Sequence, residues 1–234
     1  MSPGEESCTV AYVTNRDLVT CTPNPEELGL VTAASLERQQ EFQLGREAAR
    51  RAIARMRVQP GPVLRRGRIP VFPPGLVGSI SHSNGTGVAL VAAKGWARAV
   101  GVDVQSRERL LPLRAAAHVC RPEERAWVEA APERLLPEIF SAKEAIYKAL
   151  SVSTGQNVPF HRMSLRPKGN GFEGFLLPRP GGRLTTPSPS LAVEQLSDMH
   201  TIFSWAILVR DPAAWVGARD VVAGLLRGAL GPEV

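Results

Sequence analysis

Lysine is scarce in this chain. Only Lys94, Lys143, Lys148 and Lys168 occur among 234 residues, although lysine and arginine together number 28. The basic excess is therefore carried by arginine, whose planar guanidinium suits paired contacts with phosphate and carboxylate. Cysteine is equally sparse. Cys8, Cys21 and Cys120 lie far apart with no Cys-x-x-Cys pair, which argues against a disulfide framework or a zinc site and for a reducing cytoplasm. No run approaches the roughly 20 apolar residues that cross a bilayer, so no membrane role is expected. The opening MSPGEESCTV is acidic and lacks the hydrophobic segment of a secretory signal. The pI near 9.8 calls for an acidic partner. Nucleic acid is the generic choice, but the basic residues form no compact block interleaved with aromatics. No internal repeat and no long low-complexity tract is present.

What is there concentrates in residues 140–149, FSAKEAIYKA, which hold two of the four lysines. Placed on a helix, Ile139, Phe140, Ile146, Tyr147 and Leu150 fall on one apolar arc, and Lys143 lies inside it. A lysine there either lays its stem along apolar surface or meets an anion. Glu144 and Lys148 sit at the edge of the arc, four apart. The plain alternative is a surface helix with an ordinary Glu144–Lys148 pair, worth a few tenths of a kcal/mol. Upstream, residues 99–105 (AVGVDVQ) alternate like a strand, with Val100, Val102 and Val104 on one face and Gly101, Asp103 and Gln105 on the other. Aspartate is depleted inside strands, so Asp103 needs a polar partner or belongs to a turn. Together Asp103 and Glu144 offer hard oxygen ligands suited to Mg²⁺, with room left for water and phosphate. Lys143 and Lys148 would then address the phosphates: a magnesium–pyrophosphate site.

Around these segments the pattern predicts an α+β chain. A strand near Thr9–Val13 precedes a helix near Thr32–Arg57, which Gln59-Pro60-Gly61-Pro62 ends. Strands Gly78–Ser83 and Gly87–Ala93 flank Asn84-Gly85, a strong hairpin signal. Arg121-Pro122-Glu123-Glu124 opens a short helix, and the Lys143 helix runs from about Leu135 to Val152. Antiparallel strands follow at Met163–Arg166, Gly171–Leu177, Leu191–Leu196 and Thr201–Val209, with Pro178–Ser190 as a mobile loop. Asp211-Pro212 caps a last amphipathic helix. The joint between halves is placed at Gln105, giving lobes of residues 1–105 and 106–234.

The pair GVDVQ and FSAKEAIYKA resembles the two signature motifs of the 4′-phosphopantetheinyl transferases, in their longer, two-lobed monomeric type. Arg38 to Arg50 (RQQEFQLGREAAR) is similar to the family's N-terminal arginine helix. Pro70-Val-Phe-Pro and Gly78-Ser-Ile-Ser-His82-Ser are similar to its Pro-rich approach and Ser-His strand. These blocks stand in the family's order over residues 38–150. The resemblance implies two pseudo-twofold lobes, each a helix on a small antiparallel sheet, with the active site in the cleft between them. It also implies transfer of 4′-phosphopantetheine from coenzyme A, with Mg²⁺ (or Mn²⁺ in its place), to a serine of acyl or peptidyl carrier proteins. Carriers of polyketide, fatty-acid, nonribosomal-peptide and siderophore synthesis are the expected partners. Coenzyme A and acidic carriers would also satisfy the basic pI.

On this reading Asp103, Gln105 and Glu144 hold the metal, and Glu144 takes the serine proton directly or through water. Lys143 and Lys148 stabilise the leaving phosphate. Arg38, Phe42 and Arg46 share one helical stripe, whereas a helix built for solubility keeps arginine off its buried side. Arg38 and Arg46 are therefore expected to reach into a cleft, and the resemblance implies that they bind the coenzyme phosphates, with His82 and Ser81 at the 3′-phosphate and Arg66 or Arg68 as further candidates. One position departs from the family: many members carry a second acid where this chain has Gln105, which weakens the metal site without abolishing it. Two other readings stand beside this one. The first is a degenerate homologue that binds coenzyme A or a carrier without transfer; the second is a basic nucleic-acid-binding protein.

Overall fold

The computed structural model describes residues 7–108, 111–155, 157–177 and 191–230. In chain order the elements are β1 (Cys8–Thr14), α1 (Asn15–Leu18), α2 (Pro25–Leu28), α3 (Leu36–Arg55), β2 (Arg65–Arg66), β3 (Ile69–Pro70), β4 (Leu76–Ser83), β5 (Thr86–Ala93) and β6 (Ala97–Ser106). There follow α4 (Ala116–Val119), α5 (Pro122–Ala130), α6 (Pro132–Thr154), β7 (Met163–Lys168), β8 (Gly171–Leu176), β9 (Leu191–Ser197), β10 (Thr201–Val209) and α7 (Trp215–Leu230). The fold is α+β, as expected. The loop expected at Pro178–Ser190 lies outside the described residues.

Local chemistry sets the element ends. Ser35 accepts from the Arg38 N–H at 3.3 Å, so α3 begins at Leu36 rather than Thr32. Left-handed Gly155 (φ 64°) ends α6. Asn84 (φ 44°) and Gly85 (φ 76°) both occupy the left-handed region, which the two-residue turn between β4 and β5 requires.

Two sheets result. One has the order β1-β5-β4, the other β6-β10-β9-β8-β7, all pairs antiparallel. α3 covers one face of the first sheet, burying Leu44, Ala48 and Ile53 on Ala11, Val13, Ala89 and Val91. α6 covers one face of the second, burying Ile139, Ala142 and Ile146 on Leu165, Phe172, Val193 and Ala206. The two remaining faces share a third core, in which Val10, Val88 and Leu90 join Val100, Val102, Val104, Phe203 and Trp205. Ala218, Val222 and Leu226 of α7 complete it.

This architecture corrects the expected boundary at residue 105. β6 pairs along its length with β10, so it belongs to the second sheet, and the division falls between β5 and β6. α7 in turn packs back against β1, so the last helix rejoins the first sheet. The sheets are also unequal, with three and five strands.

Candidate active site

The seam between the sheets runs along β4 and β6, and serine hydroxyls bridge it. Ser79 Oγ accepts from the Val102 N–H at 3.1 Å and Ser83 Oγ from the Ser106 N–H at 3.2 Å. Three serines two apart all turn toward β6, as strand alternation dictates. The middle one, Ser81, donates to Asp103 Oδ1 at 2.8 Å. His82, between Ser81 and Ser83, points the other way, toward α3.

Asp103 is 2% exposed, and its partners are those its burial demands. Lys148 Nζ lies 2.7 Å from Asp103 Oδ1 and donates also to Ser81 Oγ (2.9 Å) and the Val102 carbonyl (3.1 Å). Gln105 turns its amide nitrogen, not its oxygen, to Asp103 Oδ2 at 3.1 Å. Gln105 is thus a donor to the acid, and its oxygen must turn before it could ligate a cation. α6 can carry Lys148 this close because β6 has Gly101 beneath it. A Cβ there would stand 1.9 Å from the Ala145 carbonyl oxygen.

Glu144 accepts no hydrogen bond among the described residues. Burial raises its pKa, Lys148 lowers it, and the Asp103 charge raises it further. The two acids distant in sequence therefore feel each other across the same cleft.

Across β4, α3 presents a second charged group. Arg38 donates to His82 Nε2 at 2.7 Å, which leaves the ring proton on Nδ1, 3.4 Å from Glu41 Oε2. Burial, then the charges of Arg38 and Lys148, push His82 down to about 4, so it is neutral at pH 7. Arg46 is 7% exposed, with its guanidinium 4.2 Å over the Phe42 ring. Its Nε is buried without a hydrogen-bond partner among the described residues. Burial lowers Arg46 to about 10, the Glu27 carboxylate pulls the other way, and the cations Arg65, Arg50 and Arg38 add to the fall. A buried guanidinium with several other arginines near it is suited to receive an anionic ligand.

The expected residues thus divide. Arg38, Arg46 and His82 come together on one side of β4; Ser81, Asp103, Gln105, Glu144 and Lys148 gather on the other. Arg66 and Arg68 are exposed and make no contact with Arg46 among the described residues. The loop arginine whose charge reaches Arg46 is Arg65, which sequence reasoning passed over; it shares a two-residue strand with Arg66, and nothing local separates them.

Lys143 requires a correction. It meets an anion, but one supplied by the protein. Lys143 and Glu124 side chains are both 0% exposed, and Nζ lies 2.6 Å from Glu124 Oε2. Nζ also donates to the carbonyls of Val119 (2.8 Å) and Phe160 (3.4 Å). Glu124 accepts in addition from the Arg121 and Leu165 N–H groups, both at 2.8 Å. This knot ties α6 to α4, α5 and β7, and it leaves Lys143 no path to a phosphate in the cleft. Burial lowers the Lys143 pKa, against the pull of Glu124. Sequence showed Glu124 only as part of a helix start.

A buried guanidinium beside a second arginine and a histidine, with two acids and a lysine across β4, suits the handling of a phosphate ester. Comparison with known proteins narrows it. Residues 26–92 match the 4′-phosphopantetheinyl transferase N-terminal domain and residues 99–184 the 4′-phosphopantetheinyl transferase superfamily. The chain is 37% identical over 172 residues to 4′-phosphopantetheinyl transferase Svp of Streptomyces mobaraensis, covering 68% of this chain and 69% of Svp. It is 36% identical over 136 residues to 4′-phosphopantetheinyl transferase PptT of Mycobacterium tuberculosis, covering 55% of this chain and 58% of PptT. Enterobactin synthase component D of Salmonella typhi is 34% identical over 51% of each chain. This chain belongs to the 4′-phosphopantetheinyl transferase family, in its longer form, and is an enzyme of that class.

Proposed function

We propose that this chain moves 4′-phosphopantetheine from coenzyme A to the serine hydroxyl of an acyl or peptidyl carrier protein, with Mg²⁺ held in the cleft along β4 and β6. The buried guanidinium of Arg46, its Nε without an acceptor among the described residues, carries the reading: it supports a phosphate bound beside it. Arg38 and Arg46 would donate to the oxygens of the coenzyme's 3′-phosphate, with His82 beside them. Ser81 and Lys148 face the pyrophosphate from the other side of the strand.

The acids fit a divalent cation. Glu144 has no donor among the described residues, and its proton affinity is raised by burial and then by Asp103, so a cation between them would relieve both. No cluster of three or more histidine, cysteine or acidic side chains able to hold a metal occurs among the described residues; water and phosphate oxygens would complete the shell, as Mg²⁺ prefers. Asp103 and Glu144 would hold the ion, and its charge would steady the pyrophosphate as charge builds on the leaving group. Glu144, with raised proton affinity, is suited to accept the serine proton. Lys148 offers its ammonium to the leaving phosphate, and 3′,5′-ADP departs. Mn²⁺ would substitute for Mg²⁺.

Carrier domains of polyketide, fatty-acid and nonribosomal-peptide synthases are the proposed acceptors, siderophore assembly included. The protein is proposed to act as a monomer in a reducing cytoplasm. Its three cysteines are all unbridged, and no helix among the described residues is long and apolar enough to cross a membrane. Part of the basic excess is spent internally: Arg50, Arg51, Arg107 and Arg121 each pair with an acid of the same chain. That disfavours a nucleic-acid surface.

The test is incubation with coenzyme A, Mg²⁺ and an apo carrier protein. A mass gain of one phosphopantetheine on the carrier supports transfer. Coenzyme binding with no mass gain would mean the degenerate form, and salt-sensitive binding of DNA or RNA with neither would replace both readings.

A further inference from the structure

Both oxygens of the acid that should hold the metal already accept hydrogen bonds, the ammonium of Lys148 among them. Asp103 Oδ1 receives Lys148 Nζ at 2.7 Å and the Ser81 hydroxyl at 2.8 Å; Oδ2 receives the Gln105 amide at 3.1 Å. Lys148 is anchored in turn by Ser81 Oγ and the Val102 carbonyl, so the ammonium sits in a built socket. A small hard cation approaching Asp103 must displace the Lys148 ammonium from Oδ1, or settle at Oδ2 against the repulsion of that ammonium 2.7 Å from Oδ1. Gln105 adds no negative charge to repay that displacement.

We infer that Lys148 is the resident cation of Asp103, and that it bars a divalent ion from the cleft until an anionic coenzyme draws the ammonium away. The inference rests on the proposed magnesium-dependent reading and deepens it. In the free protein the positive charge that Asp103 needs is internal, so the ion has little to gain by entering alone. A pyrophosphate offers Lys148 an alternative partner of higher charge within reach of the same helix turn. Once the ammonium has swung to it, Asp103 is released toward Glu144. Metal and coenzyme then bind with positive coupling, and by reciprocity each tightens the other by the same factor. Loading is ordered by one side chain.

The experiment is direct titration of Mn²⁺, followed by electron paramagnetic resonance, with and without coenzyme A. It uses the wild-type protein, Lys148→Met, Lys148→Gln and Arg38→Met, each checked for native circular dichroism. Arg38→Met removes a cation from the other side of β4 that does not touch Asp103, so it controls for the general field. The expected result is weak Mn²⁺ binding to the free wild type, tightened about tenfold or more by coenzyme A. Either Lys148 variant should bind the ion about tenfold more tightly without coenzyme, an amount equal to about 1.4 kcal/mol. Arg38→Met should change it far less. Lys148 variants that bind Mn²⁺ no better than wild type, or no better than Arg38→Met, overturn the inference while leaving the metal site standing. Wild type that binds no Mn²⁺ even with coenzyme A would instead overturn the metal reading itself.

Discussion

Replacing Lys143 by methionine separates a structural lysine from a phosphate-binding one. The side chain is 0% exposed and makes its closest contact, 2.6 Å, with Glu124, also 0% exposed. Methionine keeps most of the volume but removes every donor, so Glu124 is left with two backbone N–H partners and an uncompensated charge. Breaking one side of a buried ion pair costs about 3–5 kcal/mol. In a chain of this size, where each kcal/mol moves the midpoint by about 2–4 °C, that is a fall of roughly 6–20 °C. The double variant Lys143→Met, Glu124→Gln removes both charges together and should regain about half of the loss or more, because replacing a whole buried pair is far cheaper than halving it. Urea denaturation of the wild type, both single variants and the double gives the coupling. Transfer assays well below the midpoint give the second readout: kcat/KM should follow the folded fraction and recover in the double variant. A Lys143→Met protein as stable as wild type, or a double variant no better than the single, refutes the structural assignment. So does activity that stays lost while stability returns.

The other expectations concern the cleft. Arg46→Met should raise KM for coenzyme A about 10- to 100-fold, the worth of one or two charge-assisted hydrogen bonds, while leaving the 3′-dephospho coenzyme little affected; equal losses on both would remove Arg46 from the 3′-phosphate. Gln105→Glu should lower the Mg²⁺ concentration for half-maximal rate severalfold by placing a third carboxylate beside Asp103, and an unchanged metal dependence would place residue 105 outside the ion's reach. His82 is held at about 4 against an ordinary value of 6.5; between those values the unfolded chain binds a proton that the folded chain does not. Stability should therefore rise with pH from about 4 to 6.5, and a His82→Asn variant should flatten that slope. Phosphate beside His82 favours its charged form, so coenzyme binding near pH 6 should take up protons, measurable by calorimetry in buffers of different ionisation heat. Gly101→Ala should severely destabilise the fold, since its Cβ would meet the Ala145 carbonyl oxygen at 1.9 Å; a stable, active variant would show that β6 and α6 need not lie so close.

Much of this molecule is legible in the chain. Valines at 100, 102 and 104 declare a strand with one buried face, and the structure buries all three in the shared core. Asn84-Gly85 declares a hairpin because two left-handed residues in succession permit little else. The motif pair carrying Asp103, Glu144 and Lys148 fixes the family, and the stripe Arg38, Phe42, Arg46 marks a guanidinium turned inward. These are local signals, written in periodicity and residue type. Angular position tells that a side chain faces inward, but it is silent on what stands opposite. Lys143 and Lys148 look alike on the helix; only the fold sets Glu124 of α5 against the first and Asp103 of β6 against the second. The same limit hides Arg65 beside Arg66, and conceals that β6 joins the second sheet rather than closing the first half. Pairing partners far along the chain are chosen by the joint packing of three cores, and no single stretch of sequence contains that choice.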